Sequence, residues 1–248
     1  MSTQLTLLIK KKQFVLYILF TVLVACKAPK SMEQDVIKHK EVKKVSTSTS
    51  KTKDLSWLFV GDSLTAGFGV TLDQSYVSVL QQKLKSELWV DPQSQRVPQL
   101  VNAGVSGDTS AGVLRRIDWL LTDKPDRVFI CIGANDGLRG QSLTALEANL
   151  KKIIHKIKRM GIYVHLIGMK LPPNYGADYT VQFEQVYQKI ARSEKVPFYP
   201  FLLEGVAGNI KYNQTDGIHP NEEGHQKVAE EVLSHLVTMK LLQKEETK

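Results

Sequence analysis

The chain predicts an α/β fold, a parallel sheet covered by helices on both faces, and three observations carry that expectation. After residue 53, short apolar runs alternate with longer amphipathic segments in a βαβα order, the order that builds parallel sheets whose crossovers lie on the faces. The 248 residues are 42% apolar, enough for one core in a domain of roughly 190–200 residues. Gly and Pro are moderate and aromatics are present, which excludes a wholly disordered chain.

Taken in order, residues 1–25 read as a signal peptide: "KKK" at 10–12, then the apolar run "FVLYILFTVLVA". That run is too short for a membrane span, which needs about 20 apolar residues. It ends in Leu23-Val24-Ala25-Cys26, which resembles a bacterial lipobox and implies cleavage before Cys26 and acylation of its thiol. A plain secretory signal with Cys26 incidental is the alternative. Residues 26–53 then form a flexible Lys/Ser/Thr-rich tether, and 54–248 form the folded domain.

Within the domain, strands are expected at "SWLFVGD" (56–62), "QLVNAG" (99–104), "RVFICIG" (127–133), "YVHLIGM" (163–169) and "VPFYPF" (196–201). Helices are expected at 75–88, 111–122, 143–160 and 179–193, with a last one over 221–242. In the third, Leu146, Leu150, Ile153, Ile154 and Ile157 share one face while the lysines take the other.

The net charge of +8 belongs to the N-terminal 53 residues: from Asp54 onward there are 22 basic and 22 acidic residues. A nucleic-acid footprint needs a basic face on the folded domain, so no nucleic-acid partner is expected. Cys131 lies in an apolar strand and reads as a small core hydrophobe. With Cys26 in the anchor, no disulfide is expected.

Ligands of open parallel sheets bind beyond the carboxyl ends of the strands, and the loops there hold the unusual residues: "GDSLTAG" (61–67), "NAGVSGDTS" (102–110), "GANDGLRG" (133–140) and "DGIHPN" (216–221). Ser63 reads either as a helix N-cap or as a nucleophile presented at a strand-to-helix turn. A serine nucleophile needs a base oriented by a carboxylate, and Asp216 and His219 can supply that pair from one loop. Pro220 suits the first position of the last helix. A metal site of Asp216, His219 and His225 is poorly supported, because no other ligand clusters with them; His225 reads as a solvated helix residue. Asn135 offers a side-chain amide and Gly107 a backbone N–H for a developing oxyanion, although each has a plain structural use in a turn. Asp108 and Asp136 read as carboxylates that hold loop backbones.

Ser63 in "GDSL", Gly107 in "NAGVSGDTS", Asn135 in "GAND" and Asp216/His219 in "DGIHP" resemble, in order, the blocks of the SGNH or GDSL-type hydrolase superfamily. "SGDTS", "NDGLRG", "LPPNYG" and "DGIHPN" are similar to its bacterial thioesterase I / lysophospholipase (arylesterase) branch. The resemblance covers the chain from about Leu55 to the last helix. It implies a three-layer α/β/α sandwich, flavodoxin-like, with a five-stranded parallel sheet. It also implies a serine esterase or thioesterase with Ser63, Asp216 and His219 catalytic and an oxyanion hole of Ser63, Gly107 and Asn135. Ala134 stands where the branch more often has a second glycine.

Leu138, Leu171 and Tyr175 are expected to wall the acyl chain, and Arg139 to meet either an anionic headgroup or a surface ion pair. Neither a metal nor an organic cofactor is expected. The expected partners are small acyl ester or thioester substrates, and a membrane through a lipid anchor in the bacterial envelope; the protein is expected to be a monomer. Transfer of the acyl group to a sugar or other alcohol, carbohydrate O-deacetylation, and noncatalytic lipid or glycan binding on the same fold are the alternatives.

Overall fold

The structure, a computed structural model, describes residues 54–245. The signal peptide expected over 1–25, Cys26 and the tether over 26–53 lie outside the described residues. Among those described, the strands are β1 (Ser56–Gly61), β2 (Trp89–Val90), β3 (Gln99–Gly104), β4 (Arg127–Cys131), β5 (Tyr163–Ile167), β6 (Phe198–Tyr199) and β7 (Gln243–Lys244). The helices are α1 (Ser63–Ala66), α2 (Tyr76–Ser86), α3 (Ser110–Leu120), α4 (Ala134–Leu138), α5 (Leu143–Arg159), α6 (Ala177–Glu194) and α7 (Glu222–Thr238).

Five strands form one parallel sheet in the order β3-β1-β4-β5-β6. β1 and β4 are buried on both faces almost throughout, which is why they read as continuous apolar runs. Phe59 and Phe129 stack at 4.5 Å in the core, with Trp57 tilted beside them. The right-handed rule for parallel crossovers places α2 on one face and α3, α5 and α6 on the other, because the winding reverses between β3 and β4. α2 packs against α7, and α5 packs against both α3 and α6. α5 buries the five predicted residues Leu146, Leu150, Ile153, Ile154 and Ile157, each contributing about 1.5–3 kcal/mol relative to exposure. Ser142 caps its first turn through Ala145 N–H, and Lys156, Lys158 and Arg159 occupy its last, where they complement the helix dipole.

Gly61, Gly104 and Cys131 are register partners, so the loops after β1, β3 and β4 leave the sheet at one level. The winding reverses where β1 and β4 lie side by side, and a crevice opens there between the loops.

The structure corrects several details. The last helix stops at Thr238 rather than 242: Lys240 takes φ +56°, and Lys240 and Leu241 N–H return to the carbonyls of Val237 and Leu236. This is a left-handed stop that no glycine announces. The chain beyond it pairs β7 with β2 in an antiparallel ribbon. Pro220 lies before the N-cap Asn221, not at the first helical position. The fifth strand of the sheet keeps only Phe198–Tyr199, since Pro197 and Pro200 remove ladder donors on both sides. His225 is buried, not solvated: its Nδ1 accepts the Tyr76 N–H at 3.2 Å, its ring stacks parallel to that of Tyr76, and it joins α7 to α2. Its desolvation lowers its pKa to about 4.

Candidate active site

Ser63 opens α1 directly after β1, and its neighbour Asp62 is the N-cap, accepting the Leu64 N–H at 3.1 Å. The capping duty thus falls to Asp62, and the Ser63 hydroxyl is left to face His219. Ser63 Oγ and His219 Nε2 are 2.8 Å apart across 156 residues, and His219 Nδ1 lies 2.7 Å from Asp216 Oδ2. With the carboxylate on Nδ1, the ring takes the tautomer whose Nε2 lone pair faces the hydroxyl. Asp216 Oδ1 accepts the N–H groups of Ile218 and His219, both at 3.0 Å. Partial burial opposes ionisation, but these donors and the imidazole hold the Asp216 carboxyl below its ordinary range.

The loop carrying His219 is fastened by Gln214. Its Nε2 donates to the carbonyls of Phe68 and Pro220, at 2.7 and 2.9 Å, so the loop after β1 and the loop before α7 are held together. Phe68 covers the His219 ring at 4.8 Å.

The loops after β3 and β4 are braced similarly. Asn102 donates to the Thr65 carbonyl at 2.7 Å and accepts the Gly104 N–H at 2.9 Å, seating α1 on the end of β3. Arg116 joins Asp108 Oδ2 at 2.8 Å to the Gly61 carbonyl at 3.2 Å. Asp136 accepts the Ser110 N–H at 2.8 Å, and Asp108 accepts the Thr109 N–H at 3.0 Å. Both carboxylates therefore hold backbone, as expected. Gly107 has φ +79°, a conformation that favours glycine. Among the described residues, neither the Ser63 nor the Gly107 N–H has a hydrogen-bond acceptor. Asn135 accepts from Arg139 through Oδ1, and its Nδ2 has no protein partner there.

Ser63, Gly107, Asn135 and His219 line one crevice of about 540 Å³. Leu138 and Leu171 line it as well; Tyr175 is not among its lining residues and is exposed. Met169, Phe201, Leu203 and Ile218, which the sequence reading did not single out, supply more apolar wall. Phe68 and Ile218 flank the motif residues, which was the signal available for them. Arg139 forms no surface ion pair among the described residues; its partners are the Gly107 carbonyl and Asn135 Oδ1. Asp62 is almost wholly buried, and its Oδ2 has no partner. Desolvation raises its pKa to about 6, against the Leu64 N–H and the His219 ring, which lower it.

The geometry is that of a hydroxyl nucleophile with an oriented base, beside free donors and an apolar wall. Comparison with known proteins agrees. Residues 59–227 match the model of the GDSL-like Lipase/Acylhydrolase family. The chain is 43% identical to "Esterase TesA" of Pseudomonas aeruginosa over 176 residues, 71% of this chain and 84% of that protein. It is 35% identical to "Thioesterase 1/protease 1/lysophospholipase L1" of Escherichia coli K12, covering 70% and 79%. Among solved structures, the psychrotrophic esterase EstA from Pseudoalteromonas, inhibited by monoethylphosphonate, superposes with a TM-score of 0.69. It is 31% identical, over 75% of this chain and 98% of that one.

Proposed function

The chain belongs to the GDSL-like lipase/acylhydrolase family and hydrolyses ester bonds, and on that premise we propose that it cleaves acyl esters or thioesters through an acyl-Ser63 intermediate. One observation carries the assignment of the nucleophile: Ser63 Oγ lies 2.8 Å from an imidazole whose other nitrogen is 2.7 Å from a carboxylate.

In this reading Ser63 Oγ attacks the carbonyl carbon while its proton passes to His219 Nε2, and Asp216 stabilises the imidazolium that results. The carbonyl oxygen becomes an oxyanion held by the N–H groups of Ser63 and Gly107 and by Asn135 Nδ2. Losing one such donor costs on the order of 3 kcal/mol of barrier. The tetrahedral adduct collapses, and the alcohol or thiol departs with the proton from His219. Water, deprotonated by His219, then attacks the acyl-enzyme, and the acid and free Ser63 are released. Leu138, Leu171 and the further apolar residues of the crevice hold the acyl chain.

Burst kinetics test this reading. With a p-nitrophenyl ester and an acyl-CoA as substrates, a burst of alcohol or thiol release stoichiometric with enzyme is expected, followed by slower release of acid. Ser63→Ala should show neither. Turnover that persists in Ser63→Ala would remove the acyl-serine route.

The lipobox Leu23–Cys26 supports a second element of the proposal: an exported enzyme anchored to the envelope membrane by a lipidated Cys26. Among the described residues no helix is long and apolar enough to cross a membrane. Cys26→Ser should move the protein from the membrane fraction to the soluble fraction with its activity on soluble esters intact. Retention on membranes after signal removal would contradict the anchor.

A further inference from the structure

Two of the three donors assigned to the oxyanion are tied to a single side chain. Arg139 follows Asn135 by four residues, so the two side chains meet on one turn at the end of α4. Its Nη2 donates to the Gly107 carbonyl at 3.0 Å and to Asn135 Oδ1 at 3.3 Å. One nitrogen thus spans the loop after β3 and the loop after β4.

Each contact removes a specific freedom. The Asn135 amide has two near-equivalent orientations about its last torsion; one aims Nδ2 at the reacting carbonyl and the other aims Oδ1, whose lone pairs would repel an oxyanion. A cation on Oδ1 selects the first. Gly107 has no side chain to anchor it, and a Cβ built there would find only Arg139 Nη2 within 4 Å, at 3.6 Å. A glycine at φ +79° with so few neighbours rotates easily, and a fixed carbonyl limits the rotation that would swing its N–H out of the crevice.

We propose that Arg139 is a positioning residue for the oxyanion hole, its guanidinium locking the Asn135 amide and the Gly107 peptide in their donating orientations. The proposal rests on the acyl-serine reading above. It differs from a role in ground-state recognition of an anionic headgroup, because Arg139 then acts through Asn135 and Gly107, equally on charged and uncharged substrates.

The experiment compares full-length wild type with Arg139→Met, Arg139→Lys and Arg139→Ala on a neutral p-nitrophenyl ester and on an acyl ester bearing a phosphate. Thermal melting and fluorophosphonate labelling of Ser63 are measured in parallel. Arg139→Met should lower kcat by about 10–100-fold on both esters, somewhat less than outright loss of a donor, with KM changed by less than about 3-fold. Arg139→Lys should recover only part of the loss, since an ammonium lacks the planar reach of the guanidinium. Guanidinium ion at sub-denaturing concentration should restore part of kcat in Arg139→Ala. Unchanged kcat in a folded variant, or a loss confined to KM for the phosphate ester, overturns the proposal. If Arg139→Met does not melt as a folded protein, Arg139→Lys decides by the same kcat and KM criteria. Wild-type enzyme that fails to label at Ser63 removes the acyl-serine reading itself, which labelled wild type with an indifferent Arg139 does not.

Discussion

Asn135 carries the sharpest prediction at the scale of single residues. On the proposed acyl-serine route its amide acts on charge that exists only in the transition state, so Asn135→Ala should lower kcat by roughly 100- to 1,000-fold with KM nearly constant. Steady-state kinetics on one soluble ester checks this, and a rise in KM at constant kcat would contradict it. Which residues gather at the crevice was largely legible in the sequence: Ser63, Asp216, His219, Gly107 and Asn135 stand in four short motifs, and all but Asp216 line the crevice directly while Asp216 reaches it through His219. Residues that act by bracing were less legible. Gln214, Asn102 and Arg116 work through contacts to distant backbone carbonyls, and nothing in local spacing marks a side chain for such a partner. The burial of His225 is hidden in the sequence for a related reason. Its neighbours Glu222, Glu223 and Gln226 are polar, but the helix turns His225 onto Tyr76 of α2.

At the scale of elements, the ends of β1 and β3 must approach α1 closely to set Ser63 in place. A Cβ at Gly104 would lie 2.2 Å from the Ala66 nitrogen, which backbone cannot accommodate without moving α1. Gly104→Ala should therefore destabilise the fold by roughly 1–3 kcal/mol, as overpacking does, and lower activity in the molecules that stay folded. Urea melts with parallel kinetics would show both effects; a variant as stable and active as wild type would refute this account of α1. The long helices and the first four sheet strands were legible because burial imposes its period on them. α4, β2 and β7 were not, since two to five residues are too few to display a period, and α1 showed only as a strand-to-helix turn at Ser63. The boundary at Lys240 was hidden because a lysine occupies a left-handed position that sequence assigns to glycine.

At the scale of the molecule, three buried titratable groups set how stability follows pH. Desolvation lowers the pKa of both His225 and His165 from about 6.5 to about 4, so between those values the unfolded chain binds more protons than the folded one. Stability is then full above pH 6.5 and is lost as pH falls toward 4, by on the order of 3 kcal/mol for each histidine at most. Asp62, raised to about 6, acts with the opposite sign: its protonation relieves a buried charge as pH falls from 6 toward 3.8. The histidines outweigh it, and Tm should fall between pH 7 and pH 4.5. His165→Phe, which keeps a ring against Phe129, should flatten that fall. An unchanged pH profile in calorimetry would show that His165 does not titrate as burial requires. The central claim concerns the convergence of four loops on one acyl carbon, and covalent labelling tests it most directly. Wild type treated with a fluorophosphonate and digested should carry one adduct, on the peptide containing Ser63, and His219→Ala should label at least about 100-fold more slowly, as loss of a general base requires. Labelling at another residue, or at Ser63 with a rate indifferent to His219, would contradict the account.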